Sequence, residues 1–340
     1  MEVGSRGTAN VPRSRAHAPC PWYAIPMVRT GVAVLGGGKW GVALAAAAGR
    51  IGGDVLLVSR RDVEVTPRGV RIAREVRSAA EAKLIVMAVP SSVALEVIQQ
   101  LGPHLDAEHI LVHASRGLVG DSLQTITEII VASGRTELVG ALGGPVLAAD
   151  LLAGEPSVIV CGASADEVGY TFVKRFMTAS LRVYTTSDVR GVEWATALIG
   201  CLATLVGYAQ QSGLSAGLIA AMITRGVQEA SRIVAKAGGD GKTLLGLAGY
   251  GELLAAVSQR ERPELLLGGA LARGLPLEDA ARGMKSSVEA ATLAPRLARW
   301  IESKRVRAPI FMALADDVLT GRPTAEIIEK LMTLPVEDPG

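Results

Sequence analysis

Short apolar runs recur along the first half of the chain, and helical patterns fall between several of them. Each run has four to six mostly apolar residues, which is typical of a buried strand. Strands that alternate with helices predict an α/β fold, a doubly wound parallel sheet of the Rossmann type. The predicted strands are Val32–Leu35, Asp54–Ser59, Leu84–Val89, Ile110–Ala114, Leu138–Leu142, Ser157–Cys161 and Leu181–Tyr184. The predicted helices of this half are Val42–Arg50, Val93–Leu101, Leu123–Ala132 and Ala165–Met177.

The pattern changes after Asp188, where strand-like runs give way to long helical periodicity. Apolar residues there recur at spacings of three and four, as on the buried face of a helix. We therefore predict a Rossmann-type dinucleotide-binding domain over residues 29–187 and an all-helical substrate domain over residues 188–335. The predicted helices are Val192–Gly207, Leu218–Ala237, Leu277–Ser287, Ala294–Lys304, Ile310–Leu319 and Ala325–Thr333.

The first 28 residues differ from the rest. They contain four prolines and several arginines, and they lack the apolar stretch of a secretory signal. Met27 lies shortly before the first predicted strand. We expect a disordered leader over residues 1–28, with translation beginning near Met27.

Composition narrows the possible partners. The net charge of +2 and the aromatic content of 4% argue against a nucleic-acid-binding protein. The mean hydropathy is positive, +0.34, but the most apolar stretch, Ala195–Ala209, is shorter than the about 20 residues that span a bilayer. We expect a buried helix there and no membrane insertion.

The three cysteines, Cys20, Cys161 and Cys201, show no metal-ligand spacing and cannot all pair in disulfides. This usage favours a reducing, cytoplasmic location and gives no reason to expect a metal site.

A glycine motif carries the clearest chemistry. The first predicted strand leads directly into Gly36-x-Gly38-x-x-Gly41, and an alanine-rich helix follows. In a dinucleotide site the three glycines permit a tight turn, the approach of a pyrophosphate, and close packing of helix on strand. The helix N-terminus then offers free N–H groups to the phosphates. The motif predicts an NAD or NADP site.

The end of the second strand bears on the choice of nucleotide. Arg60 and Arg61 precede Asp62, at the place where a carboxylate would bind the ribose hydroxyls of NAD. Arginine suits the 2′-phosphate of NADP, so we favour NADP. Alternatively, both arginines belong to a solvated strand end. Lys39, within the glycine loop, adds charge near the pyrophosphate.

Six further motifs follow the glycine loop with Trp40, namely 88–91 (Ala-Val-Pro-Ser), 115–118 (Ser-Arg-Gly-Leu), 144–145 (Gly-Pro), 191–193 (Gly-Val-Glu), 224–226 (Thr-Arg-Gly) and 246–249 (Gly-Leu-Ala-Gly). In these motifs and their order, over residues 31 to about 334, the chain resembles the bacterial NAD(P)-dependent glycerol-3-phosphate dehydrogenases. The resemblance implies interconversion of glycerol 3-phosphate and dihydroxyacetone phosphate. It also implies nucleotide contacts from Gly36, Gly38, Lys39, Trp40, Gly41, Arg60, Arg116 and Ala148.

The catalytic positions depart from the family. Its proton-transferring lysine and the asparagine after it fall on Ile199 and Gly200, and isoleucine cannot move a proton. Arg116 replaces a second lysine, and Glu252 replaces an aspartate. The Ser-Arg-Asn triplet that holds the substrate phosphate and the cofactor in the family falls on residues 262–264 (Arg-Pro-Glu). We name Arg116 and Glu252 as candidate catalytic residues. The candidate substrate-binding residues are Arg116, Gly144, Glu252 and Arg262.

Three functions therefore remain open. The first is a family dehydrogenase for a phosphorylated triose or polyol. The second is a nucleotide-binding protein without turnover, and the third is a dehydrogenase for a less polar substrate. His113 and Lys285 are possible replacements for the missing lysine, although a structural role suits His113 better. Glu193 and Arg225 are expected to pair with each other, and resemblance makes a homodimer plausible.

Overall fold

In this computed structural model, which describes residues 31–64, 66–259, 261–284 and 288–332, eight strands form one sheet. The leader prediction for residues 1–28 and the candidate Lys285 lie outside the described residues. The strands are β1 Val32–Leu35, β2 Val55–Val58, β3 Val70–Ala73, β4 Leu84–Met87, β5 Ile110–His113, β6 Val139–Gly143, β7 Ser157–Ala163 and β8 Leu181–Thr186.

The strand order is β3-β2-β1-β4-β5-β6-β7-β8. The first six strands are parallel, and β1 pairs with β2 on one side and β4 on the other. This 3-2-1-4-5-6 order is that of a dinucleotide-binding fold, whose ligands bind at the carboxyl edge where the order reverses, between β1 and β4. The predicted Rossmann-type architecture is confirmed.

Two features of the sheet differ from the prediction of a purely parallel arrangement. Strand β7 pairs antiparallel with β6, and β8 continues parallel to β7, so both run against the first six. Strand β3 was not predicted, because two of its four residues are exposed and the run gives little apolar signal. A parallel sheet extended by reversed strands is a common mixed arrangement.

Helices cover both faces of the sheet. The strands β1, β2, β4 and β5 are buried at every residue, as expected for strands enclosed between two helical layers. The apolar side chains of alternate strand residues enter separate cores on the two faces. The helices of this half are α1 Lys39–Ile51, α2 Ser91–Leu101, α3 Ile126–Ala132, α4 Ala148–Ala153 and α5 Asp166–Phe176.

Helices make up the second half of the chain as described, and α6 runs through its core. All residues of α6 from Gly191 to Ala209 are buried. This helix is long and apolar enough to cross a membrane, but 94% of its most apolar window is buried inside the protein. The helices are α6 Val189–Gln211, α7 Ala216–Lys236, α8 Gly241–Leu245, α9 Glu252–Val257, α10 Pro263–Ala272, α11 Leu277–Arg282, α12 Glu289–Lys304, α13 Pro309–Ala313 and α14 Thr324–Met332.

Glycines let α6 and α10 approach at backbone distance. A Cβ added to Gly207 would lie 2.2 Å from the carbonyl oxygen of Leu265, and one added to Gly268 would lie 1.9 Å from that of Thr204. No side chain fits at either position, so the start of α10 is held against the middle of α6. This contact places Glu264 beside Gly200.

A buried polar contact joins the sheet to the helical half. His113, the last residue of β5, is 1% exposed, and its Nε2 lies 2.8 Å from Oε1 of Glu193 on α6. The same carboxylate accepts hydrogen bonds from the backbone N–H and the hydroxyl of Thr127. The partners of Glu193 are thus His113 and Thr127, so the expected pairing of Glu193 with Arg225 is wrong. His113 occupies a buried, structural position.

Candidate functional site

The glycine loop follows β1 at the carboxyl edge of the sheet. Gly36 has a φ of +119°, and a Cβ there would lie 2.3 Å from the carbonyl oxygen of Ala88. At Gly41 a Cβ would lie 1.8 Å from the Gly36 oxygen, so only glycine lets α1 close onto the strand. A Cβ on Gly38, by contrast, would meet no atom within 4 Å. The open space above Gly38 is the place that a pyrophosphate requires.

The N-terminus of α1 is left without a counter-charge. No side chain caps it at Gly38, and its first turn contains no acidic residue. Its free N–H groups and its positive dipole end therefore face the open space. Lys39 is exposed there, while Trp40 is partly buried against the core of the sheet. The residues present fit a dinucleotide phosphate.

Arg60, after β2, is largely exposed. Its side chain is 67% exposed, and Nη1 lies 3.6 Å from Oε1 of Glu96 on α2. Ser59 is buried beneath the glycine loop, since a Cβ on Gly37 would meet its hydroxyl. The structure thus places Arg60 near the loop, with its guanidinium in an exposed ion pair.

A carboxylate from the helical half reaches the carboxyl edge of the sheet, and the sequence did not predict this contact. Glu289, the first residue of α12, accepts a hydrogen bond of 2.8 Å from the backbone N–H of Ser91 at the start of α2. The same carboxylate also accepts a hydrogen bond from the Ser91 hydroxyl, and a Cβ added to Gly117 would collide with it. Residues 91 and 289 are so far apart in sequence that no local pattern reveals this contact.

Four charged side chains meet where the two halves of the chain face each other. Nη1 of Arg116, after β5, lies 2.9 Å from Oε1 of Glu252. Nη2 of Arg262 lies 3.5 Å from the same oxygen, and Nε of Arg262 donates to Oε2 of Glu264 at 2.8 Å. We call these four residues the Arg-Glu cluster. Three of its predicted members, Arg116, Glu252 and Arg262, are therefore brought together, and Glu264 completes it.

The cluster is mostly shielded from water. The side chain of Arg116 is 26% exposed and that of Arg262 is 8%, whereas Glu252 is 1% exposed. Desolvation lowers the pKa of the Arg116 guanidinium, and the Glu252 carboxylate opposes that change. Burial also lowers the pKa of Arg262, but Glu264 and Glu252 outweigh it and raise the pKa overall. Arg116 is the member with most access to a ligand in the cleft.

A π-helical turn sets the position of Glu252. Residues Leu247–Gly251 form this turn directly before α9, and a Cβ on Gly249 would lie 2.1 Å from the Leu244 oxygen. Such turns are frequent at functional sites because they shift side chains out of the regular helical register. Here the Glu252 carboxylate also accepts a hydrogen bond of 3.3 Å from the N–H of Gly144. Gly144 has a φ of +105°, which favours glycine.

The position of the family's missing lysine lies in apolar surroundings. Ile199 is fully buried in the core of the helical half. From Gly200 a Cβ would point towards Oε1 of Glu264, 4.0 Å away. On this side of α6 the apolar side chain of Ile199 occupies the position of the family's lysine. The carboxylate of Glu264 lies beside the next position, Gly200.

Ala148, the remaining predicted nucleotide contact, begins α4 and packs against the sheet core. Within the described ranges, no group of three or more His, Cys, Asp or Glu side chains could hold a metal ion.

Comparison with known proteins identifies the family. Residues 62–168 match the model for the N-terminus of NAD-dependent glycerol-3-phosphate dehydrogenase, and residues 188–329 match the model for its C-terminus. The glycerol-3-phosphate dehydrogenase [NAD(P)+] of Rhodopseudomonas palustris is 32% identical over 323 residues, which cover 90% of this chain and 98% of the relative. That of Nitratidesulfovibrio vulgaris is 30% identical, over 89% of this chain and 98% of the relative.

The fold comparison agrees. The crystal structure of glycerol-3-phosphate dehydrogenase from Coxiella burnetii superposes with a TM-score of 0.83 at 23% identity, over 90% of this chain and 99% of that one. The structure from Plasmodium falciparum gives a TM-score of 0.81 at 14% identity, over 91% and 97%. With the glycine loop, the strand order and these matches together, the chain belongs to the NAD-dependent glycerol-3-phosphate dehydrogenase family.

Proposed function

We propose that the protein is an NAD(P)-dependent dehydrogenase that interconverts glycerol 3-phosphate and dihydroxyacetone phosphate. The observation that carries the proposal is the placement of a fitting phosphate loop and the buried Arg-Glu cluster at one edge of the sheet. Ser115 ties the loop after β5 to the segment after β4, because its hydroxyl donates to the carbonyl of Val89, while its neighbour Arg116 enters the cluster. When bound, the nicotinamide nucleotide accepts or supplies a hydride.

The chain's own residues bind and orient in this proposal. The α1 N-terminus holds the pyrophosphate, and Arg116 presents its guanidinium to the oxygen atoms of the substrate. Arginine stays protonated, so Arg116 stabilises developing negative charge without exchanging a proton. Glu252 acts on Arg116 and on the Gly144 N–H, and it fixes both relative to the cleft. Arg262 contributes a second positive charge for the substrate phosphate.

The test has two parts. A fluorescence titration with NADPH on the full chain measures nucleotide binding, and a steady-state assay with dihydroxyacetone phosphate and NADPH measures turnover. We expect both to be positive. Binding without turnover would reject the proposed reaction but retain the nucleotide site, whereas no binding would reject both.

We further propose a preference for NADP over NAD, supported by the exposed Arg60 guanidinium. Replacing Arg60 with alanine should weaken NADPH binding by about tenfold, in line with the loss of a hydrogen bond to a charged group. NADH binding should change little, because NADH has no 2′-phosphate. The fluorescence titration measures both. Arg71→Ala is the control. Arg71 pairs with Asp54, which precedes β2, whereas Arg60 follows β2 at the opposite end of the strand. An equal loss of NADPH affinity in the two variants would contradict the assignment.

A second candidate function follows from Ile199. A fully buried isoleucine at the family's lysine position supports a nucleotide-binding protein without turnover, or a dehydrogenase for a less polar substrate. General acid–base help is worth on the order of 10²–10⁴ in rate, so its loss alone would leave a weak enzyme. The turnover assay separates these candidates from the main proposal.

Restoring the missing groups gives a directional prediction. The double variant Ile199→Lys/Gly200→Asn should raise turnover of dihydroxyacetone phosphate by on the order of 10²-fold. A Cβ at position 200 meets no close contact, because the nearest atom, Oε1 of Glu264, lies 4.0 Å away. The assay compares kcat with that of Ile199→Met/Gly200→Asn, which adds no proton donor. A double variant that binds NADPH normally but gains no turnover would indicate a repurposed pocket.

The remaining proposals concern organisation. We propose a boundary between the two domains at residues 187 and 188 and a phosphorylated triose or polyol as substrate. We also propose that the protein is a homodimer with a cytoplasmic location. The location is supported by Cys161 and Cys201, which are buried, unpaired thiols. The exposed apolar side chains Leu247, Tyr250 and Leu254 support self-association through the helical half.

A further inference from the structure

The Arg-Glu cluster has no net charge. Its two guanidiniums and two carboxylates sum to a formal charge of zero, and Arg262 lies between Glu252 and Glu264 as a shared partner. A phosphate group that binds to Arg116 and Arg262 must therefore compete with carboxylates that already hold them. Bringing a dianion into this mostly buried cluster without compensation is unfavourable, because the charges are only weakly screened.

The two carboxylates of the cluster differ in the number of donors that bind them. Glu252 receives donors from Arg116, Arg262 and the Gly144 N–H, and it is 1% exposed. Glu264 has Arg262 as its ion-pair partner, through Oε2, and its Oε1 faces the side of α6 at Gly200. Its side chain is 14% exposed. If a ligand takes Arg262, Glu264 loses its counter-charge while Glu252 still keeps Arg116.

We propose that Glu264 makes anion binding in this site proton-coupled: a phosphate-bearing substrate displaces Glu264 from Arg262, shares Arg116 with Glu252, and binds together with one proton that Glu264 takes up. In the free protein the Glu264 carboxylate pairs with Arg262 and lies in the first turn of α10. In the complex the phosphate takes over Arg262, and the carboxylate becomes neutral. The proposal rests on the proposed function for its substrate class.

The sign of the pH dependence follows from linkage. If the anion complex holds one more proton than the free site, anion binding strengthens as the pH falls and weakens as it rises, by at most tenfold per pH unit. Glutamine or asparagine at position 264 carries no charge and takes up no proton. Either variant should bind the anion more tightly at high pH and lose this advantage at low pH.

The groups around Glu264 do not supply the proton dependence themselves. Arg262, from its own element, and Arg116, from the loop after β5, remain charged. Glu252, on α9, keeps its two other donors. From α6 comes the thiol of Cys201, whose pKa burial and, secondarily, Glu264 raise to about 12. That thiol stays protonated in the range to be tested, so it does not contribute to the pH dependence.

The test is isothermal titration calorimetry of the full chain with glycerol 3-phosphate between pH 6 and pH 8. Wild type is compared with Glu264→Gln and Glu264→Asn, because either amide could fail to fold. Ionisation of the ligand is common to all proteins and cancels in the ratio of affinities. At pH 8 the variants should bind at least tenfold more tightly than wild type, and the ratio should shrink towards pH 6. Titration in two buffers of different ionisation enthalpy should reveal proton uptake by wild type beyond that of the variants.

Several outcomes separate this proposal from the proposed function. A ratio that does not change with pH, equal proton uptake in all proteins, or no binding by any of them would overturn the role of Glu264. Sulfate, which does not titrate in this range, is the second probe. Proton-coupled sulfate binding in a protein that fails to reduce dihydroxyacetone phosphate would support the role and reject the reaction. Glu278→Gln, an exposed position on α11, is the control and should match wild type.

Discussion

Replacing Glu252 with glutamine is expected to lower the free energy of unfolding by about 3–5 kcal/mol, the usual effect of removing one partner from a buried ion pair. Glu252 is 1% exposed and serves Arg116 and Arg262 together. Without its charge, both guanidiniums depend on Glu264, and the Gly144 N–H meets a weaker acceptor. Because Arg116 retains some contact with water, the loss should fall nearer the lower end. Urea unfolding followed by circular dichroism measures it.

Two controls sharpen this result. Glu252→Asp keeps the charge on a shorter side chain and should recover most of the stability. Glu278→Gln removes an exposed charge and should change the free energy of unfolding by no more than about 0.5 kcal/mol. A Glu252→Gln protein as stable as the Glu278→Gln protein would mean that the cluster contributes nothing to the fold.

Replacing Gly38 with valine is expected to lower NADPH affinity by at least tenfold, with little loss of stability. The backbone of Gly38 has a φ of −74° and a ψ of 172°, which valine adopts readily, and its Cβ would point into open space. That space is where the proposed pyrophosphate lies. The change at the helix N-cap should cost about 1 kcal/mol or less. Fluorescence titration with NADPH and thermal unfolding measure the two effects.

The glycines of the chain supply matched comparisons. Gly217→Val also places a side chain in open space, but at the start of α7, and should leave nucleotide affinity unchanged. Gly41→Ala should unfold the protein or displace α1, because its Cβ would lie 1.8 Å from the Gly36 oxygen. Normal NADPH binding by Gly38→Val would place the phosphates elsewhere.

Local patterns predicted those parts of the fold that local forces decide. The glycine loop was predictable because the spacing of its glycines, directly between a strand and a helix, is itself a local sequence pattern. The strands of the parallel core were predictable because burial on both faces makes them continuously apolar. The reversal of β7 was not, since the same apolar run suits either direction of pairing. Helix α10 was missed because Gly268 and Gly269 interrupt the pattern of a typical helix.

The site was predictable by residue type but not by partner. Sequence reasoning selected Arg116, Glu252 and Arg262 from the resemblance, yet it gave no indication that one carboxylate holds both guanidiniums. It recognised Ile199 as unable to transfer a proton, and the structure adds that the residue is core. Partners such as Glu289 and Ser91 come from opposite halves of the chain. Only the packing of those halves brings them together.

The contact between His113 and Glu193 has a mechanical consequence. It ties the end of β5 to the first turns of α6 by polar groups that would lie unpartnered in an apolar interior if the two elements separated. We therefore expect the end of β5 and the first turns of α6 to move together in any rearrangement of the two halves that accompanies nucleotide binding.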